Sequence, residues 1–460
     1  MAALRKTSLA ATTIRQQFTK TASQTNIHNM PAEDGGPNGR ADPNERTGLL
    51  SRITTTDSGT PYYKHENAFI KYPFLVLHVT WEILRTNYVN VLLVFVPVGI
   101  LAGVLNWKPA LQFIFNFIAI IPLAALLAFA TEELAVPLGQ TIGGLLNATF
   151  GNAVELIVSI IALQKNEIRI VQASMLGSIL SNILLVLGCC FFAGGLKYRE
   201  QSFNSTVAST MSSLMTVATS SLIIPATLYA VMSNNKAQED NIMILSRGTS
   251  IILLLIYVAY LYFQLKSHAD LFDETEAQEE EDSEPQLLGP WAAGIVLVII
   301  TLLVAACAEY LVGSIDEIVK QAHISKTFIG LILIPIVGNA AEHVTAVIVA
   351  WKNKMDLAIG VAIGSSLQIA IFVTPFLVVL GWIMNRPMTL HFETFETVSF
   401  FLASLVVVLL IQDGKSNYLE GLLCLGMYAI IALAFYVLPD DAGSGLNLGN
   451  GLSSLFGGGA

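Results

Sequence analysis

Two glutamates carry the chemistry this sequence can do. Glu155 and Glu342 each lie about midway along an apolar stretch long enough to span a bilayer. An ionised group at that depth costs roughly 2.5–3.5 kcal/mol on insertion scales, so such groups normally face a cavity or a partner. Each closes the same short word: Gly151-Asn152-Ala153-Val154-Glu155 and Gly338-Asn339-Ala340-Ala341-Glu342. Asn152 and Glu155 are three apart and share a helix face, as do Asn339 and Glu342. Gly151 and Gly338 mark points where a helix can break and free its carbonyls. Irregular backbone at membrane depth is tolerated only where it lines a cavity or is buried in protein. The competing reading is a protonated glutamate hydrogen-bonded between packed helices. It suits one isolated glutamate better than two in matched words.

The next apolar stretch after each word adds polar groups. Ser178, Ser181 and Asn182 lie at i, i+3 and i+4, and Ser365 and Gln368 repeat the spacing with Ser366 beside them. Gln172 is a lone polar residue early in its stretch. Packing through small residues explains the serines equally well, since membrane helices favour it. Carboxylates, Asn carbonyls and loosened backbone carbonyls are the hard oxygen ligands that Ca²⁺ takes six to eight at a time. Thiolate or imidazole clusters, which softer metals prefer, are absent from these stretches. His343 has Leu156 as its counterpart and reads as a packing histidine at least as well as a relay. Glu132, Glu133 and Glu309 fall near span ends, and Arg247 reads as an interfacial cation.

These residues must be positioned by membrane helices. Of 460 residues, 54% are hydrophobic and only 13% charged, against about 25% charged in soluble domains. Apolar runs of about 20 residues recur along the chain, which predicts an all-α polytopic membrane protein. Eleven spans are expected, near 88–106, 109–131, 138–164, 168–193, 205–233, 242–265, 290–319, 326–351, 355–383, 395–412 and 418–438. The flanking divisions are a polar tail at 1–65, read as disordered and cytosolic, and an amphipathic lead-in with the first span at 66–106. Two five-helix blocks follow, at 107–266 and 290–438, joined by an acidic linker at 267–289. A Gly-rich tail covers 439–460. No secretory leader is expected. The four cysteines all fall in apolar segments, which argues against a disulfide framework or a zinc site.

The net charge of −10 arises from one place. Residues 270–284 hold nine carboxylates and no Lys or Arg, and without them the chain is near neutral. Nucleic-acid binding is therefore not expected, and the run reads as a solvated linker or a cation-sensing cytosolic helix. Lys64, Lys71 and Arg85 before the first span favour a cytosolic N-terminus.

Residues 151–188 and 338–375 align without gaps at an offset of 187, with eleven identities in 38 positions. The identities include Lys165/Lys352, Asn166/Asn353, Gly177/Gly364 and Ser178/Ser365. The copies start five spans apart, so they cross in opposite directions. That predicts two inverted five-helix repeats preceded by one extra N-terminal span, with the site at their interface near the midplane.

The two copies, GNAVE with SMLGSILSN at 174–182 and GNAAEH with AIGSSLQIA at 362–370, resemble the hallmark repeats of the CAX family of cation/proton exchangers. The acidic run between the halves is similar as well, and the polar N-terminal tail resembles that of fungal vacuolar members. The resemblance covers roughly residues 85–438. It implies Ca²⁺/H⁺ antiport across the membrane of an acidic organelle, with Glu155 and Glu342 binding cation and proton in turn. It implies no cofactor and no enzymatic chemistry, with Ca²⁺, H⁺ and the lipid bilayer as partners. The expected metal site is Glu155, Glu342, Asn152, Asn339, Gly151, Gly338, Ser178, Ser365, Gln172 and Gln368. Ligand types alone leave Mn²⁺ or Na⁺ specificity, and a cation channel, as alternatives.

Overall fold

The computed structural model describes residues 88–231, 236–269 and 288–438. The expected tails at 1–65 and 439–460 and the acidic run at 270–284 lie outside them. The described chain is almost entirely helical, as apolar runs in a membrane must be, because only helices and closed barrels satisfy every backbone polar group internally.

A 3₁₀ turn, Tyr88–Val94, leads into α1 (Phe95–Val104), and α2 (Pro109–Ala135) returns. Helices α3 (Gly139–Phe150) and α4 (Ala153–Gln164) follow one another across a break. Helix α5 (Ile168–Leu180) runs through a π-turn at Ser181–Val186 into α6 (Leu187–Lys197). Helices α7 (Ser205–Val231) and α8 (Lys236–Tyr262) complete the first half. In the second half, α9 (Pro290–Gly313) and the short α10 (Ile315–Ala322) precede α11 (Lys326–Phe328). Helix α11 continues through a π-turn at Ile329–Leu333 into α12 (Ile334–Gly338), which breaks before α13 (Ala340–Trp351). Helix α14 (Met355–Gln368) passes through a π-turn at Ile369–Val373 into α15 (Thr374–Ile383), and α16 (Thr394–Leu410) and α17 (Tyr418–Val437) close the bundle. A two-residue antiparallel pair, β1 (Gln201–Ser202) with β2 (Lys415–Ser416), ties two loops together.

Among the described residues seven helices are long and apolar enough to cross a membrane, or nine if each sharply bent pair counts as one. This is fewer than the eleven apolar stretches of the sequence. The stretch at 326–351 is interrupted at Asn339, and the helices Val89–Val104 and Thr394–Leu410 are short. Hydropathy runs on through a break that divides the helix.

The backbone irregularities recur at the sequence offset. Asn152 (φ −99°, ψ 24°) and Asn339 (φ −99°, ψ 5°) stand at the two helix breaks. Asn166 and Asn353 both take positive φ, 62° and 69°, in the turns that follow. Asparagine tolerates this region because its short amide can hydrogen-bond locally. The π-turns at 181–186 and 369–373 also fall at corresponding depths in their helices.

The core lies where the halves interleave. Helix α2 packs along α9, α6 along α17, and α5 against the segment from α11 to α12. The α5 contact is close because Gly177 has no side chain: an added Cβ would run into the Leu331 carbonyl. Its counterpart Gly364 on α14 has nothing within 4 Å of that position. Beyond the close contact, Arg169 at the start of α5 holds Glu396 of α16 with both guanidinium arms, at 3.0 and 2.5 Å. Lys326 pairs with Glu167 at 3.0 Å and with Asp316 at 2.5 Å.

Candidate functional site

Both glutamates occupy the third position of a helix that starts at a break, Glu155 in α4 and Glu342 in α13. Helix N-termini carry unpaired N–H groups and positive potential, which suits carboxylates there. The break between α3 and α4 bends the chain by 47°. The bend at Gly151-Asn152 thus brings Glu155 to a helix start inside the bundle, where it is 7% exposed. Glu342 is partly buried.

The asparagines join the halves. Asn152 donates from Nδ2 to Oε1 of Gln368 (2.7 Å), and its Oδ1 accepts from the Ser365 hydroxyl (3.0 Å). Asn182 donates to the Ser365 hydroxyl oxygen (3.1 Å), and Ser365 also lies beside the Glu342 carboxylate. One polar chain therefore runs from the π-turn after α5 through α14 to the α3–α4 break. The corresponding amide in the second copy is placed differently: Asn339 is buried, and its Nδ2 has no hydrogen-bond partner among the described residues. Gly338 abuts the other glutamate, and a Cβ there would stand 3.4 Å from Oε1 of Glu155.

Glu155, Ser178 and Gly338 line a single cavity. Ser365, Gln368, Asn152 and Glu342 form the hydrogen-bonded flank beside it. Gly151 is exposed at the outer end of the break. Gln172 is turned elsewhere: it donates to the carbonyl and hydroxyl of Thr389 at 3.0 and 3.3 Å. The cavity also takes in Ser159 and Ser174, which sequence reasoning passed over. Ser159 follows Glu155 by four residues, and that same-face spacing was the available signal.

Glu133, Glu309 and Arg247 are engaged in structural contacts. Oε2 of Glu133 accepts from the Leu288 amide at 2.7 Å, and Glu309 pairs with Lys165 at 2.8 Å. The Arg247 guanidinium stacks over Trp382 at 4.8 Å. His343 is partly buried, and its Nε2 has no hydrogen-bond partner among the described residues. The four cysteines are free. Among the described residues no group of three or more His, Cys, Asp or Glu side chains is arranged to hold a metal ion. A cation here would be held by two carboxylates completed by neutral oxygens, a set that suits a hard ion able to leave again.

The family model for the sodium/calcium exchanger protein matches residues 108–266 and 292–437. The chain is 50% identical over 365 residues to a vacuolar calcium ion transporter of Schizosaccharomyces pombe, covering 79% of this chain and 88% of that one. It is 44% identical over 373 residues to vacuolar cation/proton exchanger 3 of Oryza sativa subsp. japonica, covering 79% and 88%. Among solved structures it is similar to native YfkE, at 40% identity with a TM-score of 0.65, covering 76% of this chain and all of that one. The H⁺/Ca²⁺ exchanger CAX shares the fold at a TM-score of 0.59 with 13% identity, covering 83% and 97%. A chain matched along both halves, with its two Gly-Asn-Ala-x-Glu words at facing helix breaks, belongs to the sodium/calcium exchanger family, among its cation/proton exchangers.

Proposed function

We propose that this protein is a vacuolar-membrane antiporter that exchanges Ca²⁺ for H⁺, with Glu155 and Glu342 binding cation and proton in turn. The observation that carries this reading is the meeting of the two halves at matched helix breaks, where Gly338 abuts the Glu155 carboxylate and Asn152 bonds Gln368 and Ser365. Two ionised glutamates neutralise one Ca²⁺, and two protonated ones need no ion. The site is then close to neutral in either loaded state, and the empty, doubly charged site is penalised inside the bundle. That penalty couples the two ions. One pH unit is worth about 1.4 kcal/mol per proton. Two protons moving across about two pH units would supply roughly 5.4 kcal/mol, enough for roughly a 10⁴-fold Ca²⁺ gradient.

The same reading takes the chain as eleven spans, one extra and two inverted sets of five. The recurrence of break, left-handed Asn and π-turn at one sequence offset supports it. The ligand set is Glu155, Glu342, Asn152, Asn339, Ser178, Ser365 and Gln368, with carbonyls freed near Gly151 and Gly338. Gln172, bonded to Thr389, drops to a supporting role.

Reconstitution into vesicles with an imposed pH gradient tests the proposal. Glu155→Gln and Glu342→Gln should each abolish pH-driven ⁴⁵Ca²⁺ uptake, and normal uptake in both variants would sink it. Competition by Mn²⁺ and Na⁺ in the same vesicles separates Ca²⁺/H⁺ exchange from the related specificities.

A further inference from the structure

The helices that carry the two glutamates begin at breaks, so the chain before them does not hold them as a continuous helix would. Their far ends are Gln164 of α4 and Trp351 of α13, which match at the offset of 187. Each end is held by a loop of the opposite half. The loop after α6 reaches α13: Gln201 donates from Nε2 to the Ala350 carbonyl and to Oδ1 of Asn353, both at 2.9 Å. Lys197 donates to the Trp351 carbonyl at 3.1 Å and lies over its ring, 5.4 Å from the centroid. The Asn204 amide donates to Oδ1 of Asp356 at 2.6 Å. The loop after α15 reaches α4 likewise: Arg386 donates from Nη2 to the Gln164 carbonyl at 2.7 Å.

The two loops match as well. At the same offset Gly194 corresponds to Gly381, Arg199 to Arg386 and Gln201 to Met388. In both copies the last of these folds back over the glycine. A Cβ on Gly194 would run into the Gln201 side chain, and one on Gly381 would stand 2.7 Å from Cβ of Met388. Gln201 and Met388 are both buried. The backbone of Gln201 is fixed by its pairing with Ser416, so a rigid clip presents its amide to α13. We propose that Gln201 and Arg386 are positioning residues: each holds, from the opposite half, the far end of the helix that carries Glu342 or Glu155, and so sets where that carboxylate meets the cation. The proposal rests on the exchange reading given above.

Helix C-termini leave carbonyls without intrahelical partners and carry negative potential, which suits the amide and cationic donors found here. The lever is long enough to matter. From Glu342 to Trp351 the helix runs about 13 Å, so a tilt of about 3° at a loosened end moves Glu342 by about 0.7 Å. Binding groups must be held within roughly 0.5 Å of their working geometry. Neither Gln201 nor Arg386 lines the cavity, so their effect reaches the site through the helix. A residue that only held the fold together would change stability and leave cation affinity alone. A positioning residue changes affinity in the folded protein.

The test measures ⁴⁵Ca²⁺ binding to the purified full-length chain and uptake into vesicles under an imposed pH gradient. Gln201→Met keeps the volume and removes the donor. Its half-saturating Ca²⁺ concentration should rise about fivefold, the worth of one hydrogen bond, with the maximal uptake rate retained. Arg386→Met should give a matching rise through Glu155. Asn353→Gly removes the Oδ1 acceptor and suits the positive φ of 69°. It should raise the half-saturating concentration roughly twofold, and it serves where Gln201→Met does not fold. Lys415→Met breaks the exposed pair with Glu200 at 2.5 Å in the same clip and should leave affinity unchanged. An unmoved affinity in Gln201→Met, Arg386→Met or Asn353→Gly overturns the proposal. So does a Lys415→Met variant that shifts as far as Gln201→Met, which would make the clip a matter of folding alone. Glu342→Gln is the control: if it binds Ca²⁺ normally, the exchange reading itself fails, and if it does not, the Gln201 result stands alone.

Discussion

Removing Arg169 should cost this protein more than removing the carboxylate it holds. The Glu396 side chain is 0% exposed and Arg169 is 25% exposed. The guanidinium bonds both carboxylate oxygens, Nη1 to Oε2 at 3.0 Å and Nη2 to Oε1 at 2.5 Å. In Arg169→Met the buried carboxylate keeps one protein donor, the Glu393 amide at 3.0 Å on Oε2. Stranding one member of a buried pair costs about 3–5 kcal/mol. In Glu396→Gln the arginine keeps Glu393 at 3.1 Å and Thr327 at 3.3 Å and reaches solvent. The loss is then one charged hydrogen-bonded contact, roughly 1.5–3 kcal/mol. The double variant should cost less than the sum, because neither charge is left behind. Equilibrium unfolding of the four proteins in detergent micelles, titrated with SDS, measures the cycle. An Arg169→Met loss no larger than about 1 kcal/mol, the level of an exposed pair, would refute the claim that this fork is buried and that it ties α5 to α16.

Three further outcomes can be checked. Glu155→Gln and Glu342→Gln should each stop pH-driven Ca²⁺ uptake in vesicles. Gly177→Ala should lower stability and slow transport, because its Cβ meets the Leu331 backbone, whereas Gly364→Ala should be tolerated in the micelle unfolding assay, since nothing lies within 4 Å. His391, in the loop before α16, is pushed down to about 4 by burial and by the nearby Arg169 charge, and its ring lies tilted against Tyr229 with the centroids 3.8 Å apart. Between its unfolded value near 6.5 and 4 the unfolded chain binds the extra proton, so stability should fall as pH drops through that window. His391→Gln should flatten that part of the stability–pH curve.

The helical membrane class and the Gly-Asn pairs at which the helices break are legible in the sequence alone. These are local signals. Apolar run length sets what a bilayer accepts, and a Gly-Asn pair weakens a helix wherever it occurs. The left-handed turns at Asn166 and Asn353 fall at matching positions of the repeat, because identical local words take identical backbone turns. Hydropathy did not register the interruption at Asn339, since the residues on either side remain apolar. Only the tertiary structure decided which polar groups meet. Asn152 bonds Gln368 across 216 residues, and Arg169 finds Glu396 across 227. Gln172, equal to Gln368 as a candidate by residue type, turned to Thr389 instead. The tertiary structure also decided the asymmetry. Gly177 and Gly364 are identical letters in matched words, yet one is packed against backbone and the other is open. The physical reason is that propensity and periodicity act over a few residues, whereas hydrogen-bond partners and gaps are set by how whole helices pack, and one sequence repeat can pack in two ways.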